Sequence, residues 1–139
     1  MKGVVFDRFE ADQLRQRARA QTMWLHRETH EARGQTVQAT LFSAQAGQPP
    51  RAVLSAPAAE TKLKGGITYL HGGVRIVDAE GRRLRTEALT YDAQKDHVLG
   101  AHPVTLEGAN FELHGQGLQL QPGQDDLQIT GPVQATFWP

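Results

Sequence analysis

Cysteine is absent from the 139-residue chain, aromatic residues make up only 6% of it, and the formal net charge is zero. Without cysteine there are no disulfides, no thiolate metal ligands and no thiol nucleophile, and nothing follows about the redox compartment. No run of about 18 apolar residues occurs, as a membrane-spanning helix would need. Met1 to Phe6 meets Asp7 too soon to serve as the apolar part of a signal peptide. The chain as it stands is therefore expected to be soluble. A zero net charge also lacks the basic excess typical of nucleic-acid binders.

Catalytic patterns are missing too. There is no Gly-x-Ser-x-Gly elbow and no phosphate-binding glycine loop. His26 and His30 stand four apart with Glu28 between them, but position 27 is Arg where a metalloprotease helix places Glu. In a strand the two imidazoles would lie about 13 Å apart, so no metal site is expected. Asp125-Asp126 belongs to a turn, and Asp7, Glu10 and Asp12 to an N-terminal connection, so no acids converge as a glycosidase requires. The expectation is a non-enzyme with no cofactor.

What the chain does have is short alternating stretches separated by turn residues. Fourteen glycines and seven prolines are spread along it, a pattern of many strands rather than a few helices. Strands are expected at Val4–Phe9, Thr36–Leu41, Val53–Ala56, Ile67–Leu70, Val74–Val77, Leu84–Tyr91, Val98–Leu99, Val104–Leu106, Phe111–Leu113, Leu118–Leu120, Leu127–Ile129 and Val133–Phe137. Residues 10–33 are rich in helix formers, yet Leu14 to Ala20 alternates, with Arg15, Arg17 and Arg19 on one face, and a strand is preferred there. Ala46–Pro50, Asp78–Gly81, Asp92–Asp96 and Pro122–Asp126 read as loops or turns.

Val74, Leu89, Val104, Leu118 and Val133 follow one another at 15, 15, 14 and 15 residues. Each sits beside turn formers or in an alternating stretch, so a unit of about 30 residues recurs, the mark of a stacked architecture. Sandwich, barrel and solenoid all remain open on strand count alone. An open stack would line its interior with a continuous apolar trough. Charge is uneven along it, at +2 for residues 1–33, +4 for 34–86 and −6 for 87–139.

Asp78 to Asp92 (DAEGRRLRTEALTYD), then Pro103-Val104-Thr105-Leu106, Gly115-Gln116-Gly117-Leu118 and the closing Gly131-Pro132-Val133-Gln134-Ala135 resemble, in order, the motifs of the LptC family. That family is the periplasmic, inner-membrane-attached component of lipopolysaccharide export, within the broader LptA/OstA-like group. The resemblance covers about Val4 to Phe137. It implies an all-β fold over residues 1–139: a single β-jellyroll or solenoid-like stack of about a dozen antiparallel strands with a V-shaped section. It implies a non-catalytic conduit that carries lipopolysaccharide from the inner-membrane transporter toward the LptA bridge. Keeping each methylene from water is worth roughly 0.8 kcal/mol, which makes a shielded acyl path necessary.

From alternation and the 15-residue interval, the inward, lipid-binding positions are expected to be Leu41, Ile67, Tyr69, Val74, Ile76, Leu89, Tyr91, Val104, Leu106, Phe111, Leu113, Leu118, Leu120, Ile129 and Val133. The resemblance places the LptBFG-type transporter at an N-terminal edge, with Val4, Phe6 and Phe9. An LptA-like protein would meet the C-terminal edge, with Val133, Ala135 and Phe137. Open edges also permit a homodimer. A membrane anchor is expected outside these residues, since LptC proteins usually begin with one. The basic first part is expected to favour anionic membrane and lipid phosphates, and Glu112, Asp125 and Asp126 to orient the downstream partner. A free periplasmic bridge of LptA type, or a β-solenoid scaffold without a lipid ligand, are the alternatives.

Overall fold

A computed structural model describes residues 2–10, 13–42, 50–62, 64–95, 97–121 and 126–139. The loop expected at Ala46–Pro50, except Pro50, and most of the turn at Pro122–Asp126 lie outside the described residues. Twelve strands run through the described residues: β1 (Lys2–Glu10), β2 (Gln13–His26), β3 (Glu31–Leu41), β4 (Ala52–Lys62), β5 (Ile67–Asp78), β6 (Arg83–Asp92), β7 (His97–Gly100), β8 (Val104–Glu107), β9 (Phe111–Gly115), β10 (Gly117–Gln121), β11 (Asp126–Thr130) and β12 (Gln134–Phe137). All pair antiparallel in one open sheet, and the helical alternative for residues 10–33 is replaced by the long strand β2 and its hairpin to β3.

Strands β2 to β6 are longer than alternation alone indicates, because each turns a corner. Inward burial along β4 falls on Leu54 and Ala56, then on Ala59, and along β6 on Leu84 and Thr86, then on Leu89 and Tyr91. In β4 and β6 the phase slips once in the middle of the strand, where an irregularity lets the strand bend onto a second wall. The pairing shifts at Ser55/Ala58 and His71/Val74 mark that bend. Gly72 and Gly73 sit at it with φ of 90° and 107°, a left-handed backbone that glycine adopts without a Cβ penalty. The glycine pair thus does not end a strand, as the sequence reading has it; Ile67–Leu70 and Val74–Val77 are the two arms of β5.

The sheet then divides. The far arm of β6 pairs with β7, which leads to β10 and β11; its near arm pairs with β8, which leads to β9 and β12. We term the first series, with the arms His26-side of β2 and Ile67-side of β5, the first wall. The other series, which includes β1, is the second wall. The 15-residue interval has a simple origin here. Val74 and Val104 lie on the second wall, Leu89 and Leu118 on the first, and Val133 immediately precedes β12 on the second. Successive members cross from wall to wall at the bend, and half a coil takes about 15 residues.

Val74, Leu89 and Leu118 are 1% exposed and Val98 is fully buried. They pack with Leu84, Val104 and Leu106 in one cluster that fills the space between the walls from β5 to β10. Asp78 closes the expected hairpin turn: its Oδ1 accepts hydrogen bonds from the backbone N–H of Glu80 (3.0 Å) and Arg82 (2.9 Å). At Gly117 the close neighbour is backbone: an added Cβ would stand 2.7 Å from the Gly100 carbonyl oxygen and 2.8 Å from Thr130 Oγ1. Gly117→Ala is expected to cost about 1–3 kcal/mol, since backbone cannot yield as a side chain does. Urea unfolding measures it, and an unchanged midpoint would contradict the close approach.

Candidate functional site

The inward residues of β2 to β4 differ in size from those that follow. Ala18, Ala20, Ala32, Ala39 and Ala59, with Gly34, occupy positions where β5, β6 and β10 carry Leu, Ile, Val or Tyr. Small residues at facing positions on both walls leave the space between them unfilled. The result is a partly open cavity of about 270 Å³, closed at its far end by Leu54, Leu70, Tyr91 and Val98. Polar groups stand mainly at its margin. Thr61 and Thr68 approach each other through their hydroxyls, and Thr61 Oγ1 also donates to the Ile67 carbonyl at 3.2 Å. Gly66 and Ala93, tied by an Ala93 N–H to Gly66 O bond of 2.9 Å, join the turns β4–β5 and β6–β7 at one lip.

The positions expected to face inward divide into four groups. Leu41 and Tyr91 are buried and line the cavity. Val74, Ile76, Leu89, Val104, Leu106 and Leu118 are buried in the sealed cluster, and Phe111, Leu113, Leu120 and Ile129 pack against it. Ile67 and Tyr69 take the opposite face. Tyr69 is 40% exposed and stacks on His71 outside the walls, with ring centroids 5.0 Å apart. The residues turned inward on that arm are Thr68 and Leu70. Leu70 and Val74, four positions apart, share the inner face, so Val74 and Ile76 face inward as expected while Ile67 and Tyr69 do not. Val133 is half exposed, because it ends the stack.

Both ends of the stack present unpaired strands. Among the described residues β1 pairs with β2 alone, from Glu10–Gln13 to Lys2–Thr22, and Trp24 to His26 pair with β3. Val4 is half-buried on β1. Phe6 and Phe9 belong to the same strand by backbone, and their side chains lie outside the described set. Arg17 holds β1 to β2 from outside through Asp7 (Nε to Oδ1, 2.8 Å), and this hydrogen bond keeps the Asp7 carboxyl below its usual range. At the other end, among the described residues, β11 pairs only with β10 and β12 only with β9. Phe137 stands opposite Phe111, its ring centroid 6.1 Å away, on the inner face, yet is 72% exposed. Val133 and Ala135 on the same segment, and Leu127 on β11, are also exposed. Asp125 and the Asp126 side chain lie outside the described residues; Glu112 pairs with His114 (2.8 Å).

Open walls, an apolar interior and bare edges at both ends form an elongated module rather than a closed enzyme pocket. The family described as LptC, "Lipopolysaccharide-assembly, LptC-related", matches residues 1–137. The chain belongs to that family. Its place is accordingly the periplasmic part of the lipopolysaccharide-transport machinery, in a family of transport scaffolds and not of enzymes. Among solved structures, the chain is similar to LptH of Pseudomonas aeruginosa, described as the LptA-homologous periplasmic component of the conserved lipopolysaccharide transport device. Identity is 13%, the TM-score is 0.64, and the match covers 89% of this chain and 95% of that one. That likeness bears on the fold. No curated protein matches the chain.

Within this LptC-related chain, sequence reasoning missed the alanine-lined cavity. The signal is present as Ala18, Ala20, Ala32, Ala39 and Ala59 on the inward face of their strands. Alanine contributes little to an apolar period and is easily passed over when larger side chains are sought.

Proposed function

We propose that this protein holds a lipopolysaccharide acyl chain between its walls and passes it along the stack toward a bridge module. The observation that carries this reading is the cavity of about 270 Å³, apolar within and open at one side. Its size is near the lower end of about 300 Å³ typical of ligand pockets, which fits one acyl chain or part of one rather than a whole lipid. An apolar cavity left empty costs stability that larger side chains would have recovered. The lipid is held first by Ala39, Leu41, Leu54, Leu70 and Tyr91. Onward movement past Val74, Leu89, Val98 and Leu118 requires the walls to part.

The exposed inner face at β11 and β12 supports docking of an LptA-like module there by strand addition, with Phe137 and Val133 continuing the apolar path. The β1 and β2 edge is the corresponding place for the transporter's periplasmic part, with Val4, Phe6 and Phe9 on its outermost strand. A photo-crosslinking amino acid at Ala39 is expected to label lipopolysaccharide during active export, while the same group at Phe137 labels the LptA-like protein. An absence of lipid adducts at Ala39, Leu54 and Leu70 in cells that export normally would leave the scaffold reading in place of the conduit.

A further inference from the structure

We propose that the outer face of the second wall is a docking surface for an anionic phospholipid bilayer. Register brings Arg19, Gln38, Ser55, Arg75 and Arg85 into one row across β2 to β6. With strands about 4.8 Å apart, that row spans about 19 Å. A second row places Arg17, Thr40, Val53, Val77 and Arg83 beside it. The charge excess of the chain's first two thirds is thereby gathered on one face.

Few acids answer it. Asp7 is bonded to Arg17, Glu107 serves both Arg83 (3.4 Å) and Arg85, and Glu112, opposite Glu107 on β9, pairs with His114 (2.8 Å). Arg75 has no carboxylate at ion-pair distance among the described residues and lies directly opposite Arg85 on the next strand. Like charges opposed across a sheet are destabilising. The outer face of the first wall is built the other way. Arg33 stands opposite Glu60 and Glu31 opposite Lys62, so signs alternate there. One face is balanced internally and the other left to an external anion.

A bilayer is the occupant these features favour. The face spans five strands, the uncharged Gln38, Thr40 and Ser55 separate the arginines of β2 from those of β5 and β6, and exposed Val77 stands in the second row. Mobile phosphates in a lipid surface can adjust to such spacing, and guanidinium groups pair with phosphate through two parallel bonds. The module also works in the periplasm beside the inner membrane. This inference is independent of the acyl-chain reading, since it uses the opposite side of the sheet.

The test is flotation of the chain with vesicles of phosphatidylcholine, with and without one third phosphatidylglycerol. Binding is expected only with the anionic lipid and to weaken as salt rises. Each arginine near such a surface contributes about fivefold to partitioning, so the Arg75→Gln/Arg85→Gln double variant is expected to bind about 25-fold less. Arg75→Lys/Arg85→Lys keeps most of the binding, and Arg33→Gln, on the other wall, leaves it unchanged. Removing the opposed pair does not threaten folding, and circular dichroism checks this. Equal partitioning of the parent and the glutamine variant, or binding without phosphatidylglycerol, overturns the proposal. Competition by inorganic phosphate at matched ionic strength also overturns it, because the face would then serve the free anion.

Discussion

Leu118→Ala is expected to lower the unfolding free energy by about 3–4 kcal/mol, near the middle of the range for leucine truncations in packed cores. Leu118 is 1% exposed within the buried cluster, where large side chains from both walls fill the interior. For a domain of this size the loss corresponds to a fall in Tm of roughly 10 °C. Leu127→Ala provides the contrast. Leu127 pairs with Leu120 on the same face of the same sheet but is 40% exposed at the open end, and its truncation is expected to cost under about 1 kcal/mol. Thermal and urea unfolding of both variants measures the difference. Similar losses for the two would mean that the β5–β10 interior is not the sealed block described.

Ala39→Phe is expected to act in the opposite sense: it should remove lipopolysaccharide binding by tenfold or more and leave Tm nearly unchanged. Ala39 lies on β3 between Ala18 and Leu54 and faces the cavity, so a phenyl ring enters space that is already empty. The same ring at Ala88 has no such space. Ala88 is 2% exposed at the bend of β6, outside the cavity lining, and Ala88→Phe is expected to destabilise by about 1–3 kcal/mol or more through overpacking. Binding is read with purified lipopolysaccharide by fluorescence displacement, stability by thermal unfolding. If Ala39→Phe proves as destabilising as Ala88→Phe and still binds lipid, the cavity is neither open nor the acyl site.

These two substitutions separate the two halves of the interior, a distinction that periodicity does not carry. Val74, Leu89, Val104 and Leu118 read as rungs of a trough because they recur at a constant interval and are apolar. The same interval and the same side chains also serve a closed core, and here they do: large branched residues from both walls meet and exclude a ligand unless the walls separate. The alanines of β2 to β4 give the weaker apolar signal and the larger space. Which half is open depends on what stands opposite each residue across the gap, and that neighbour is distant in sequence.

Tyr69 shows the same limit at a single position. Ile67-Thr68-Tyr69-Leu70 has apolar residues on both faces, so alternation leaves its phase undecided, and size alone favours Ile67 and Tyr69 for the interior. The choice falls to the bend at Gly72 and Gly73. Leu70 and Val74 are four positions apart, and this keeps both on the inner face while Tyr69 turns out to stack on His71.

By itself the sequence determined that this is an all-β stack, where its strands recur, that Asp78 to Gly81 turns a hairpin, and to which family its ordered motifs belong. Those properties are local: turn residues, alternation and spacing are written within a few tens of positions. Only the tertiary structure decided that five strands cross from one wall to the other, that the cavity lies among alanines while the regular ladder is sealed, and that arginines from β2, β5 and β6 share one outer face. Each of these depends on pairing between strands and on the gap between two walls, where residues far apart in the chain fill the same space or leave it empty.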